Sequence, residues 1–182
     1  DTTSKKAHVI KTTSSKVSSK QEYSRNSAKS SSLPDLRKYP SGTPRKKAFL
    51  RTVMPYITSQ NAAITAERNW LISKQYQGQW SPAERARLKD IAKRYKVKWS
   101  GNTRKIPWNT LLERVDIIPT SMVATMAAAE SGWGTSKLAR NNNNLFGMKC
   151  MKGRCTNAPG KVKGYSQFSS VKESVSAYVT NL

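Results

Sequence analysis

The sequence predicts a mainly α-helical domain with a small β-hairpin, set behind a flexible basic tail. Three observations predict it. Apolar residues recur at three- and four-residue spacing in successive runs from Phe49 to Val115, and again from Pro119 to Glu130, which is the period of one helix face. Helix-start signals stand before two such runs: Ser81-Pro82-Ala83-Glu84 and Ser170-Val171-Lys172-Glu173 both place a hydroxyl three residues ahead of a carboxylate, the pattern of a capping box. Strand-type turn signals are confined to Leu145–Phe168, at Lys152-Gly153 and Pro159-Gly160.

Residues 1–42 are rich in Ser, Thr and Lys and contain few large apolar side chains. Such a segment buries too little surface to offset the entropy of ordering it, so a flexible tail or linker is expected there, with a domain over 43–182. Order is expected to begin near Pro44. Phe49, Leu50, Val53, Met54 and Ile57 then repeat at helical spacing, and Pro55 should kink or split that helix. A second run through Ile64, Trp70 and Leu71 gives way near Gly78. The Ser81 box opens a helix whose buried face is Leu88, Ile91, Ala92 and Tyr95. Ser100-Gly101-Asn102 reads as a turn, and Pro107 opens a short helix through Leu111, Leu112 and Val115.

Pro119 starts the next helix, which ends at Glu130 before the breaker Gly132-Trp133-Gly134. After Asn141–Asn144, the stretch Leu145–Phe168 should form two or three short strands. The Ser170 box opens a final helix through Val175, Tyr178, Val179 and Leu182, and the chain stops in mid-pattern. A terminal helix without a stop signal is expected to continue in a longer chain.

The 182 residues suit one domain plus a tail. Lys and Arg number 33 against 10 acidic residues, a formal charge of +23; 24 of those bases and 7 of the acids lie from Thr43 onward. A charge of this sign attracts polyanions: nucleic acid, an anionic membrane face or bacterial wall polymers. It does not choose among them. No recognised nucleic-acid motif is present, and Tyr23 and Tyr39 are the tail's only aromatics, so base stacking is not suggested. No apolar run approaches the ~20 residues a membrane span needs. No signal peptide is visible, and the sequence starts at Asp1 without Met, as a processed product does.

The two cysteines lie in Cys150-Met-Lys-Gly-Arg-Cys155. A structural metal site takes about four ligands, and the single histidine, His8, is far away in the tail, so no metal is expected. If Lys152-Gly153 form a two-residue hairpin turn, Cys150 faces Cys155 across the ladder. Opposed residues lie roughly 4.5–5.5 Å apart at Cα, within reach of a disulfide. Such a bond suits an oxidising compartment, the periplasm or another exported setting; two reduced thiols are the alternative.

Glu130 is the candidate chemical group. Val123, Met126, Ala127 and Glu130 follow the i, i+3, i+4, i+7 pattern, which places Glu130 on the helix's buried stripe. Desolvation and the negative end of the helix dipole would both disfavour its charged form, a property suited to a general acid. Trp133 adds an aromatic face beside it. A surface Glu at a frayed helix end is the plain alternative.

Three pieces of Pro119–Lys149 carry a resemblance: Glu130-Ser131-Gly132-Trp133-Gly134-Thr135-Ser136, Leu138-Ala139 and Asn143-Asn144-Leu145-Phe146-Gly147-Met148-Lys149. Together they resemble the signature of the bacterial glucosaminidase family, glycoside hydrolase family seventy-three, and within it the Bax-type proteins. The resemblance implies a lysozyme-like helical fold with a small β-hairpin beside the cleft, and cleavage of β-1,4 N-acetylglucosaminyl bonds in peptidoglycan without a cofactor. It implies that Glu130 is the catalytic acid and that Trp133, Asn144 and Phe146 shape or support the cleft; core and turn packing is the alternative for each. Asn143 and Asn144 are further candidates for contacts to N-acetyl groups, with turn formation as the alternative. Tyr165 is a candidate to line the sugar cleft with Trp133.

Two features depart from the family. Glycosidases usually use two carboxyl groups, roughly 5–5.5 Å apart in retaining and 6.5–9.5 Å apart in inverting enzymes. Many family members place a second Glu in the hairpin, whereas Cys155-Thr156-Asn157-Ala158-Pro159-Gly160-Lys161 holds no acid. Glu84 and Glu173 are expected to cap helices, Glu67, Asp90 and Glu113 to form solvated ion pairs, and Asp116 to shape a helix start. A water activated by a neutral network at Tyr165 or Thr156, attack by the substrate's own 2-acetamido group, and lost catalysis all stay open. Relatives also continue into further helices, one supplying a cleft Tyr that has no counterpart here. Three other functions compete: a peptidoglycan-binding module without turnover, a lytic transglycosylase, and a basic nucleic-acid-binding protein using the tail.

Overall fold

A computed structural model describes residues 33–150, 155 and 158–181. The expected tail, as far as Ser32, and the Lys152-Gly153 turn lie outside the described residues.

The framework is one long helix, α1 (Thr43–Lys74, 32 residues), against which the turn before it and two later helices pack. Gly42 precedes it at φ +94°, and Pro44 occupies its first turn, where a missing N–H costs nothing. The helix runs on through Pro55, so the expected split does not occur. Proline removes one helical hydrogen bond at a cost of about 3 kcal/mol. The buried face continues across it, through Phe49 and Val53 on one side and Ile57 and Ile64 on the other. Each such side chain contributes about 1.5–3 kcal/mol on burial, so both halves are held to the shared core.

The packed unit also reaches upstream of Thr43. Leu36, in a 3₁₀ turn over Leu36–Lys38, is fully buried. Arg45 ties that turn to α1 by donating to the carbonyls of Leu36 (3.2 Å) and Tyr39 (3.0 Å). A single Leu among polar residues carries no periodicity, so the burial of Leu36 has no signal in the sequence.

Helix α2 (Pro82–Arg94) starts in a complete capping box between Ser81 and Glu84. Lys74 at the end of α1 meets Glu84 at 2.5 Å. Deeper in, Glu67 of α1 accepts from the Tyr95 hydroxyl at 2.7 Å and pairs with Arg94 at 2.6 Å. Helix α3 (Trp108–Arg114) is held by Arg68, which donates to the carbonyls of Val115 (3.0 Å) and Leu112.

Helix α4 (Thr120–Ser131) packs on α1. Its start is fixed by Asn61 Nδ2, which donates to the Ile118 carbonyl at 2.8 Å. Phe49, near the other end of α1, meets Trp133 just past the end of α4, so the two helices run antiparallel. The short α5 (Lys137–Asn142) follows, capped by Ser136. Last comes α6 (Val171–Thr180), which buries Val171, Val175 and Val179 and packs on α1. Only half of its expected capping box forms. Ser170 accepts from the Glu173 amide, but the Glu173 carboxylate turns to the Ser169 amide at 2.8 Å.

Two or three strands were expected over Leu145–Phe168. Among the described residues there is one antiparallel bridge, Lys149 to Tyr165. It is flanked by Ser166 N–H donating to Met148 O (2.9 Å) and Cys150 N–H donating to Gly164 O (3.1 Å). Side chains take over the rest of the loop's polar groups, as described below. No helix among the described residues is long and apolar enough to cross a membrane.

Candidate active site at the end of helix α4

The end of α4 is set by three successive residues in the left-handed region: Gly132 (φ +55°), Trp133 (+57°) and Gly134 (+78°). Trp133 N–H reaches back to the Ala128 carbonyl at 2.9 Å, the bond that closes a left-handed helix stop. Ser131, fully buried, donates to Ala127 O (2.5 Å) and accepts from Gly134 N–H (2.9 Å). Gly134 has no room for a side chain, because a methyl group there would lie 2.6 Å from Leu36 Cδ1. Trp133 is the non-glycine member, at a cost of about 1–2 kcal/mol. Its ring is half-buried and meets Phe49 edge-on, with centroids 5.6 Å apart, and Lys46 Nζ lies 5.1 Å from its centroid.

Glu130 is exposed, as is Met126. The buried face of α4 is Val123, Ala124, Ala127, Ala128 and Ser131, so the expected stripe through Met126 and Glu130 is displaced. Small alanines form the contact with α1, and the longer Met and Glu side chains fall at its edge. The expected desolvation of Glu130 is therefore absent. Its carboxylate instead lies against the Asn-Leu-Phe-Gly loop: a methyl group on Gly147 would stand 3.0 Å from Glu130 Oε2. Gly147 itself has φ +64°, a second reason for glycine there.

The carboxylates sort clearly. Glu67, Glu84, Asp90, Asp116 and Asp35 all face a cation within 4.0 Å, and Glu173 is held by Ser169. Among the described carboxylates, Glu130 and Glu113 have no such partner. Glu113 lies exposed on α3.

The asparagine run serves the loop itself. Asn144 is fully buried; its amide donates to Met148 O (2.9 Å) and Ser166 O (3.0 Å), and its oxygen accepts from Phe146 N–H (3.3 Å) and Met148 N–H (3.1 Å). No donor is left for an N-acetyl group, so the expected sugar contact gives way to turn formation. Asn143, left-handed at φ +51°, donates to Phe168 O at 3.0 Å. Asn142 was not singled out from the sequence, yet it is equally buried and clamps Val162 by accepting from its N–H (2.8 Å) and donating to its carbonyl (3.1 Å). The run of four asparagines was the available signal.

Phe146 is buried and stacks on Tyr178 of α6, with centroids 4.0 Å apart and planes 2° apart. It anchors the loop to α6. Tyr165 is half-buried at the bridge with Lys149. Cys150 and Cys155 are joined as a disulfide with Cα atoms 5.3 Å apart. The structure thus brings together Glu130 and the loop that Asn143, Asn144 and Phe146 brace.

The site is thus an unpaired carboxylate at a helix end facing a braced glycine loop. Residues 107–182 match the family model Glucosaminidase, described as mannosyl-glycoprotein endo-beta-N-acetylglucosaminidase. The match takes in α3 to α6 and both loops that meet at Glu130, so the chain is similar to the glucosaminidase family over this segment. No solved structure matches the chain significantly.

Proposed function

We propose that the chain is an exported peptidoglycan hydrolase that cleaves β-1,4 bonds at N-acetylglucosamine, with Glu130 as the general acid. The observation that carries this reading is the exposed Glu130 carboxylate, free of ion pairs, against Gly147. An acid that must hand its proton to a glycosidic oxygen needs access to that oxygen and no cation to hold it ionised. Trp133 and Tyr165 would border the sugar on either side. The Cys150–Cys155 bond would keep the loop braced outside the reducing cytosol.

Among the other described carboxylates all but Glu113 are held by a cation or by Ser169, and Glu113 lies exposed on α3. The reaction therefore draws on the substrate. As Glu130 protonates the leaving oxygen and the C1–O bond breaks, the 2-acetamido oxygen attacks C1 to give a cyclic intermediate. Water then opens that ring with Glu130 taking the proton back. This route retains the anomeric configuration; direct attack by water, oriented by a neutral network at Tyr165, would invert it.

The test is mass spectrometry of soluble products from purified peptidoglycan treated with this chain and with Glu130→Gln. Fragments ending in a reducing N-acetylglucosamine, absent with the variant, are expected. An anhydro end would mark a transglycosylase instead. Retention on the wall with no fragments from either protein would identify a binding module.

A further inference from the structure

At the opposite end of α1 lies a second hollow, of about 540 Å³, lined by Gln75, Ile106, Pro107, Trp108, Asn109 and Thr110. This volume falls within the range of about 300–1,000 Å³ typical of small-molecule sites. Phe49, which marks the Glu130 end, and Gln75 are separated by most of α1, on the order of 40 Å at 1.5 Å per residue. The hollow is therefore not an extension of the Glu130 site.

We infer that this hollow is a second saccharide-holding site, for a neutral N-acetylated sugar of the glycan strand. Its lining contains no charged side chain, although the protein carries 33 Lys and Arg. An anion site in so basic a protein would recruit some of them. What the lining does offer is an apolar floor of Ile106, Pro107 and Trp108 with amide and hydroxyl groups of Gln75, Asn109 and Thr110 around it. A sugar ring has this division, with C–H faces that lie on an aromatic ring and hydroxyl and acetamido groups at its edge.

The polar groups are also available. The indoles of Trp80 and Trp99 donate to the carbonyls of Gln77 (3.3 Å) and Asn102 (3.0 Å). Among the described residues, no group accepts from the Trp108 indole, and the side chains of Gln75, Asn109 and Thr110 have no hydrogen-bond partner. The contrast with Asn142 and Asn144, whose amides are consumed by the fold, is direct.

The site is also rigid. Trp108 lies against Trp80 (centroids 6.3 Å), and Trp80 meets Trp70 edge-on (6.3 Å). Arg87 covers Trp70 at 4.4 Å, and the Lys74–Glu84 pair locks the helix junction.

The choice of sugar class rests on the glycan-cleaving reading, and the test separates the two. Nitrogen-edited NMR of the full chain in the Glu130→Gln background, titrated with a neutral N-acetylglucosamine oligosaccharide, reads the Trp108 indole and the Gln75 and Asn109 amides directly. Saturable shifts at all three are expected. Gln75→Ala with Asn109→Ala, which spare the core, should weaken that binding about tenfold. Shifts confined to the Glu130 end, no binding at all, or affinity unchanged in the double variant would overturn the inference. Shifts at Trp108 in a protein whose wall cleavage does not depend on Glu130 would uphold it while refuting the acid's role.

Discussion

Gly147 leaves open the space that the Glu130 carboxylate occupies. A methyl group there would meet Glu130 Oε2 at 3.0 Å, so the two family-type motifs are matched to each other by the absence of one side chain. Gly147→Ala should therefore displace the carboxylate and reduce wall cleavage, besides costing about 1–2 kcal/mol for its left-handed backbone. Gly160→Ala is the control: it has φ +82° and nothing within 4 Å of an added methyl. Comparable destabilisation of both variants in urea, with cleavage lost in the first alone, is the expected pattern.

Glu130→Gln should leave stability within about 0.5 kcal/mol of the parent, since the carboxylate is exposed and makes no ion pair. Thermal unfolding of the purified variant checks this. A large drop would show that Glu130 supports the fold.

Gly134→Ala should destabilise more than either glycine change above. Its methyl would lie 2.6 Å from Leu36 Cδ1 and 3.2 Å from Phe49 Cδ2, and overpacking of a core adds about 1–3 kcal/mol to the backbone cost. Denaturant midpoints would show whether the Leu36 turn can shift to make room.

Asn144→Ala removes four hydrogen bonds from a buried turn and leaves the Phe146 and Met148 N–H groups without their acceptor. Each unpaired group costs about 1–3 kcal/mol. Hydrogen exchange at the Phe146 and Met148 amides should accelerate strongly, because the loop loses its internal brace.

Acid should loosen the junction of α1 with α2. The Lys74 ammonium, helped by Gln77 and Ser81, holds the Glu84 carboxyl down from 4.5 to about 2. A group depressed on folding contributes stability that is complete above its unfolded value, and that is lost as pH falls through its folded one. The contribution of Glu84 should thus fade between about pH 4.5 and 2. In Glu84→Gln that part of the acid-unfolding curve should flatten.

Local features were legible in the sequence and distant ones were not. The Ser81 box needs four adjacent residues, and it formed. The displaced stripe of α4 shows the limit of periodicity: alanines and a methionine allow more than one choice of face, and packing against α1 decided it. The Asn143-Asn144 turn was readable as a turn, but the partners that consume its amides, Ser166 and Phe168, lie more than twenty residues on. Trp70, Trp80 and Trp108 stand on or before three different helices, so nothing in their spacing announced one cluster.

The unbroken course of α1 through Pro55 also makes it a ruler. A strand gripped beside Gln75 and cut at Glu130 would be severed at a set distance from the grip, giving products of preferred length rather than random scission. Removing one turn from α1, about 5.4 Å, would then shift the size distribution of the fragments without touching either site.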